Sequence, residues 1–120
     1  MAMNELFVYG TLKRGHHNND LLGDSQLLGN YETLPRWGLI SLGSFPGMVA
    51  GNKAVKGEVY LVDDETLAAV DLLEGVAHGL YQRRRIWIKS PVTLVKREVY
   101  AYIYNDIVFN SAASMMDSWD

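Results

Sequence analysis

The chain contains no cysteine. That excludes disulfides and every reaction that needs a thiolate, and it suits a reducing, cytoplasmic home. Histidine is scarce, at three residues. With no thiolate to help, three or four converging metal ligands are hard to assemble, so the His16-His17-Asn18-Asn19-Asp20 stretch is not read as a metal site. No apolar run approaches the roughly 20 residues that span a bilayer. The start, Met1 to Gly10, lacks a basic segment followed by an apolar one, so neither a signal peptide nor a membrane partner is expected. Positive charge is also in short supply. A net charge of −3 disfavours a nucleic-acid partner, which needs a basic footprint. Ser44 does not sit in a G-x-S-x-G elbow, which argues against a serine hydrolase. Gly10 and Gly15 have the glycine spacing of a phosphate loop, but His16 and His17 stand where it needs Lys and Ser or Thr.

What is present is enough for one domain over residues 1–120, with 48% apolar residues to fill a core. Strands are expected at Glu5–Tyr9, Gln26–Leu34, Trp37–Leu42, Val55–Val62, Tyr81–Lys89 and Val95–Tyr104, from their β-branched and aromatic content and partial alternation. Asn18 is read as the cap of a short helical turn closed by Gly23. Gly57 marks a bulge or a close approach inside its strand. The loop Leu42–Gly47 is punctuated by glycine and proline and could line a pocket with backbone groups. Arg83, Arg84 and Arg85 read as a charged outer strand face rather than a nucleic-acid surface. Strands in runs around one helix of consequence argue an α+β fold, with the sheet able to curl into a small barrel.

That helix follows Val62. Asp63 or Asp64 can cap its start, and Gly75 can end it by adopting the left-handed conformation. At about 100° per residue, Leu67, Val70, Asp71 and Glu74 share one face. Glu74 therefore projects from an apolar stripe, where a carboxylate is costly unless it is paired or needed for chemistry. Gly10 directly follows a buried strand, so the backbone can turn there and present successive N–H groups to an anion. The tyrosine ladder Tyr100, Tyr102, Tyr104 can pack on a sheet or wall a small-ligand cavity.

Taken together, Tyr9-Gly10-Thr11-Leu12 after a first strand, Gly57-Glu58-Val59-Tyr60, and Asp71-x-x-Glu74-Gly75 followed by Tyr81-x-Arg83 resemble the γ-glutamylcyclotransferase superfamily, which includes γ-glutamylamine cyclotransferases and AIG2-like proteins. The resemblance runs from about Leu6 to Tyr104. It implies a small mixed β-barrel of five to six strands with flanking short helices. It also implies conversion of a small γ-glutamyl substrate to 5-oxoproline and a free amine, with no cofactor and no metal. Carried over residue by residue, the catalytic glutamate matches Glu74, and the substrate-binding loop matches Tyr9, Gly10, Thr11 and Leu12. Tyr81 matches a family tyrosine shortly after the glutamate, and a late pocket tyrosine matches Tyr102 or Tyr104. The tail Asp117-Ser118-Trp119-Asp120 departs from the Gly-Asp-Trp ending of some short members. Asp71 is expected to orient or cap, and Glu58 to be structural. Lys13, Arg36 and Arg83 are candidates for added positive charge beside the substrate's anions, but each reads first as a solvated surface residue. The rival to an enzyme is a binding module for a small ligand or a protein on the same fold, and the leaving group and oligomeric state are left open.

Overall fold

The computed structural model describes residues 3–105 and 115–119. Part of the C-terminal tail, at 106–114 and at 120, lies outside them. Among the described residues seven strands form: β1 (Met3–Val8), β2 (Gln26–Thr33), β3 (Trp37–Ser41), β4 (Pro46–Ala50), β5 (Lys56–Asp63), β6 (Tyr81–Lys89) and β7 (Lys96–Tyr104). One α-helix, α1 (Asp64–Leu73), lies between β5 and β6. Five strands close into a barrel in the order β1-β5-β2-β6-β7. Four of its seams are antiparallel. The closing seam, β1 to β7, is parallel, with Leu6 opposite Tyr100. The expected mixed barrel within an α+β fold is therefore what the chain adopts, and β3 and β4 make a separate two-stranded sheet beside it.

The strand at Pro46–Ala50 was not expected, because Pro46 and Gly47 read as loop punctuation. Proline lacks an N–H, which is tolerated at the first residue of a strand at a sheet edge. The strand pairs only with β3, with Ser41 opposite Pro46 and Trp37 opposite Ala50.

Alternation along the barrel strands feeds two cores. Phe7, Val59, Ile86, Val99, Ala101 and Ile103 pack with Leu39 and Met48 of the β3–β4 hairpin. The opposite faces, carrying Leu6, Val8, Tyr60, Val62 and Tyr102, pack with Leu67 and Val70 of α1. Burial on both faces explains the dense apolar runs in β1 and β5. The short C-terminal piece joins the first core. Met116 bridges to Leu39, Lys56 N–H donates to the Asp117 carbonyl at 2.8 Å, and Trp119 packs against the buried cluster.

Gly57 sits where β5 passes β1. A Cβ there would meet the Val8 carbonyl oxygen and the Phe7 ring, so the expected close approach is the correct alternative. The bulge lies instead in β2, where the register shifts between Leu27 and Gly29. Because the obstacle is backbone, Gly57→Ala is expected to destabilise the protein by about 1–3 kcal/mol, seen as a lower urea midpoint with an unchanged slope.

Candidate active site

The helix that carries Glu74 is fixed at both ends. Asp63 is its cap, and its Oδ1 accepts a hydrogen bond from Thr66 N–H at 2.7 Å. Leu67 and Val70 are buried as the periodicity required. Glu74 is the residue at which the helix ends, and its N–H still donates to the Val70 carbonyl at 2.9 Å. Gly75 then turns the chain at φ 63°, a conformation that costs a residue with a Cβ. The Gly75 carbonyl accepts from Leu80 N–H at 3.1 Å, which folds the connection to β6 back against the helix end. The Glu74 side chain is thus held on a fixed backbone rather than on a frayed turn.

Its carboxyl is half-buried in the wall of a cavity of about 160 Å³. Burial alone pushes its pKa up to about 7 from the usual carboxylate value of 4.5. Glu74 is the only carboxylate of that wall among the described residues. The cavity is also lined by Tyr9, Gly10, Thr11 and Leu12, and by Tyr81 and Tyr102. Tyr104 is not brought to it. Its ring packs edge-on against Tyr81, with centroids 5.5 Å apart.

Each phenol of the wall already directs its proton elsewhere. Tyr9 Oη donates to the Tyr102 carbonyl at 2.7 Å and accepts from Met48 N–H at 3.2 Å. Tyr81 Oη donates to the Pro46 carbonyl at 2.7 Å. Tyr102 Oη donates to Asp71 Oδ1 at 2.6 Å. Burial is the first cause raising all three phenol pKa values. For Tyr9 and Tyr81 the negative charge of nearby Glu74 adds to it. These tyrosines remain neutral and fully committed, and Tyr9 and Tyr81 pin β4 over the cavity.

The turn after β1 approaches β4 closely. A Cβ on Gly10 would come within 2.8 Å of Pro46 Cγ. Among the described residues the N–H groups of Gly10, Thr11 and Leu12 have no hydrogen-bond acceptor. Their carbonyls are occupied: Gly10 accepts from Lys13 N–H, Thr11 from Asn18 N–H, and Leu12 from Asn19 Nδ2. The turn therefore holds its shape through its acceptors and leaves its donors free. Asn18 does not cap the following 3-10 turn, Asn19–Leu22, with its side chain. Its Nδ2 donates to Thr11 Oγ1 at 2.8 Å instead, bracing the same loop.

Asp71 lies one turn before Glu74 and does not line the cavity. Its Oδ2 pairs with Arg83 at 2.9 Å, while its Oδ1 takes the Tyr102 proton. Arg83 and Tyr102 face each other across β6 and β7. Arg83 is therefore half-buried in an ion pair rather than solvated. Lys13 donates to the Trp119 carbonyl, and Arg36 is exposed before β3, so none of the three cations lines the cavity. Glu58 accepts from Arg14 N–H at 2.8 Å, away from the cavity. Asp71→Ala strands the Tyr102 hydroxyl and Arg83 together. A loss of about 1–3 kcal/mol is expected in chemical denaturation, with Asp71→Asn losing less because it still accepts from Tyr102.

Sequence reasoning missed Leu73, His17 and Asn18 as lining residues, while the loop expected to line a pocket, Leu42–Gly47, supplies Phe45 and Pro46. Leu73 directly precedes Glu74 at a helix end, which was a usable signal.

The comparisons with known proteins accord with this architecture. The profile of the family described as "Gamma-glutamyl cyclotransferase, AIG2-like" matches residues 6–120. A Vibrio cholerae protein provisionally named a γ-glutamylcyclotransferase is 44% identical over 115 residues, covering 96% of this chain and 92% of its own. The γ-glutamylcyclotransferase family protein YtfP of Escherichia coli K12 is 42% identical over 81 residues, covering 68% and 70%. A solved structure of a mouse AIG2-like protein superposes with a TM-score of 0.85 over 100% of this chain and 90% of that one, at 24% identity, and so speaks to the fold. The chain belongs to the γ-glutamyl cyclotransferase, AIG2-like family of cyclotransferase-type enzymes.

Proposed function

We propose that the protein converts a γ-glutamyl amide to 5-oxoproline and a free amine, with Glu74 as the proton carrier. The observation that carries the reading is the half-buried Glu74 carboxyl, with its pKa near 7, in one cavity wall with the unengaged N–H groups of Gly10, Thr11 and Leu12. A relative from Niallia circulans, 38% identical over 73 residues, is named a γ-glutamyl cyclotransferase acting on γ-L-glutamyl-butirosin B; this chain spans 46% of its length.

In this reaction the substrate supplies its own nucleophile. The α-ammonium loses one proton to bulk water to become an amine, which attacks the γ-carbonyl carbon. The new C–N bond closes a five-membered ring, and the attacking nitrogen gives up a second proton to ionised Glu74. Protonated Glu74 then delivers that proton to the departing nitrogen as the old C–N bond breaks. A carboxyl with a pKa near the working pH can act in both directions. The free N–H groups after β1 suit the anionic parts of the substrate, which are its α-carboxylate and the oxyanion formed during attack. A cavity of about 160 Å³ has the volume of about five liquid waters, which suits a glutamyl-sized group. Tyr9, Tyr81 and Tyr102 shape and dry it without exchanging protons.

The test is to incubate the protein with γ-glutamyl dipeptides and γ-glutamyl amides and to quantify 5-oxoproline and amine together. Equal amounts of both are expected. Glutamate in place of 5-oxoproline would mean hydrolysis, and binding without turnover would mean a binding module.

A further inference from the structure

The hairpin of β6 and β7 ends in an apolar tip that the barrel does not use. Val92, Leu94 and Val95 are 87%, 62% and 66% exposed, and none belongs to either core. Hydrogen bonds within the turn hold the tip in shape. Ser90 Oγ accepts from Val92 N–H and Thr93 N–H, both at 3.2 Å. The Ser90 carbonyl accepts from Leu94 N–H at 2.9 Å, and Ser90 N–H donates to the Val95 carbonyl at 3.1 Å. This turn sets Leu94 at φ 61°, the one left-handed residue other than glycine among the described residues. Asparagine or glycine would sit there with less strain. The fold thus fixes a leucine in a costly conformation and leaves it in water.

Charge gathers behind the tip. Residues 81–98 hold six of the chain's eleven lysines and arginines and one of its fourteen carboxylates. Lys89 and Lys96 face each other as the last register pair before the turn. Like charges directly opposite weaken a sheet. Glu32 lies 3.9 Å from Lys89, and Lys96 has no carboxylate partner among the described residues. Trp87, 50% exposed, shares the Lys89 face about 7 Å back along the strand.

We infer that this hairpin docks the protein on an anionic lipid surface. Val92, Leu94 and Val95 enter the boundary between headgroups and acyl chains, Lys89 and Lys96 meet the phosphates, and Trp87 lies at headgroup level. A lipid surface answers each local cost: it buries the aliphatic tip, uses the leucine held outward, and neutralises the facing lysines. A second copy docked tip to tip would bring the lysine pair against its own image. A nucleic acid would leave the aliphatic tip in water. The rest of the chain carries thirteen of the fourteen carboxylates, so an anionic surface repels it and orients the molecule tip first. The expectation of no membrane partner rested on the want of a spanning run; that concerns crossing a bilayer, and docking on one needs none. None of these residues lines the cavity, so the inference is independent of the catalytic reading.

The test floats the full chain on vesicles of phosphatidylcholine, alone or equimolar with phosphatidylglycerol, in roughly 0.1 M salt. Partition onto the mixed vesicles is expected to be about tenfold stronger or more, and to weaken as salt is raised. Leu94→Asn removes the aliphatic group and relieves the left-handed strain. Its urea midpoint should equal or exceed the parent's while its vesicle binding drops about tenfold. Lys89→Gln combined with Lys96→Gln should weaken binding about 25-fold, at about fivefold per lysine, with an unchanged circular dichroism spectrum. Tryptophan emission should shift to the blue on mixed vesicles, and Trp87→Phe should remove the shift. Equal partition onto both vesicle types, no flotation, or binding untouched by Leu94→Asn would overturn the inference. So would lipid-free dimers that Leu94→Asn dissociates in sedimentation, which would assign the tip to a second copy.

Discussion

Replacing Glu74 with glutamine is expected to lower kcat for 5-oxoproline release by about 10²-fold or more, the usual scale for losing a general base. The side chain keeps its size and loses its ability to take a proton. Nothing that holds it in place changes. The Asp63 cap, the buried Leu67 and Val70 and the left-handed turn at Gly75 are all independent of its charge. Among the described residues the cavity wall holds no second carboxylate to take over. The protons of Tyr9, Tyr81 and Tyr102 are already donated to the Tyr102 carbonyl, the Pro46 carbonyl and Asp71. Asp71 is outside the cavity lining, and both its oxygens are engaged. Steady-state kinetics beside a circular dichroism spectrum separates lost chemistry from lost fold. A folded, fully active glutamine variant would remove Glu74 from the mechanism.

The acidity of Glu74 sets the second large effect. With its pKa at about 7, the carboxylate needed for attack is depleted tenfold for each pH unit below that value. Ionisation of Glu74 alone should therefore lower kcat/KM by about 50-fold between pH 7 and pH 5, and the substrate's α-ammonium, which must also lose a proton, steepens the fall. Stability runs the other way. The folded carboxyl holds its proton more tightly than the unfolded one, because its pKa rises from 4.5 to about 7 on folding. The stabilising contribution is complete below about 4.5 and is lost as pH rises through about 7. Above that, the protein carries a desolvated charge. Glu74→Gln, which cannot ionise, should then be more stable than the parent at pH 8.5, by about 1–3 kcal/mol, and show no such advantage near pH 4. Urea midpoints across pH measure this. An advantage that does not change with pH would mean that Glu74 ionises as an ordinary exposed carboxylate does, and one that grows toward low pH would mean that folding favours its ionised form.

How far the sequence could be read depended on the range of each interaction. Asp63, Leu67, Val70, Glu74 and Gly75 lie on one helix and its flanks, so rotation per residue and cap chemistry placed them without knowledge of the rest. The turn at Gly10 was legible for the same reason. Asn18 shows the limit of local reasoning: its position suited a cap, but a contact with Thr11 seven residues away used its side chain instead. The Asp71–Arg83–Tyr102 cluster depends on the register of β6 against β7, which alternation cannot supply. Choosing Tyr102 over Tyr104 as the cavity residue needed the same register. β4 was hidden because Pro46 and Gly47 suit a strand that pairs on one side, although the loop that leads into it reads as able to line a pocket.

The parallel seam between β1 and β7 gives the cavity a position in time as well as in space. The N–H groups after Val8 belong to the first strand made by the ribosome, and Tyr102, whose carbonyl receives the Tyr9 proton, belongs to the last strand of the barrel. At about 5–20 residues per second, synthesis separates them by several seconds. During that interval β1 can pair with β5, but its other edge has no partner and the Tyr9 hydroxyl has no carbonyl to meet. A nascent chain that has not yet released β7 therefore presents two bare strand edges, on β1 and on β6, each open to a neighbouring chain. Closing the barrel ends that exposure and completes the cavity wall in one event, so the chain gains its pocket as it loses its stickiest surface.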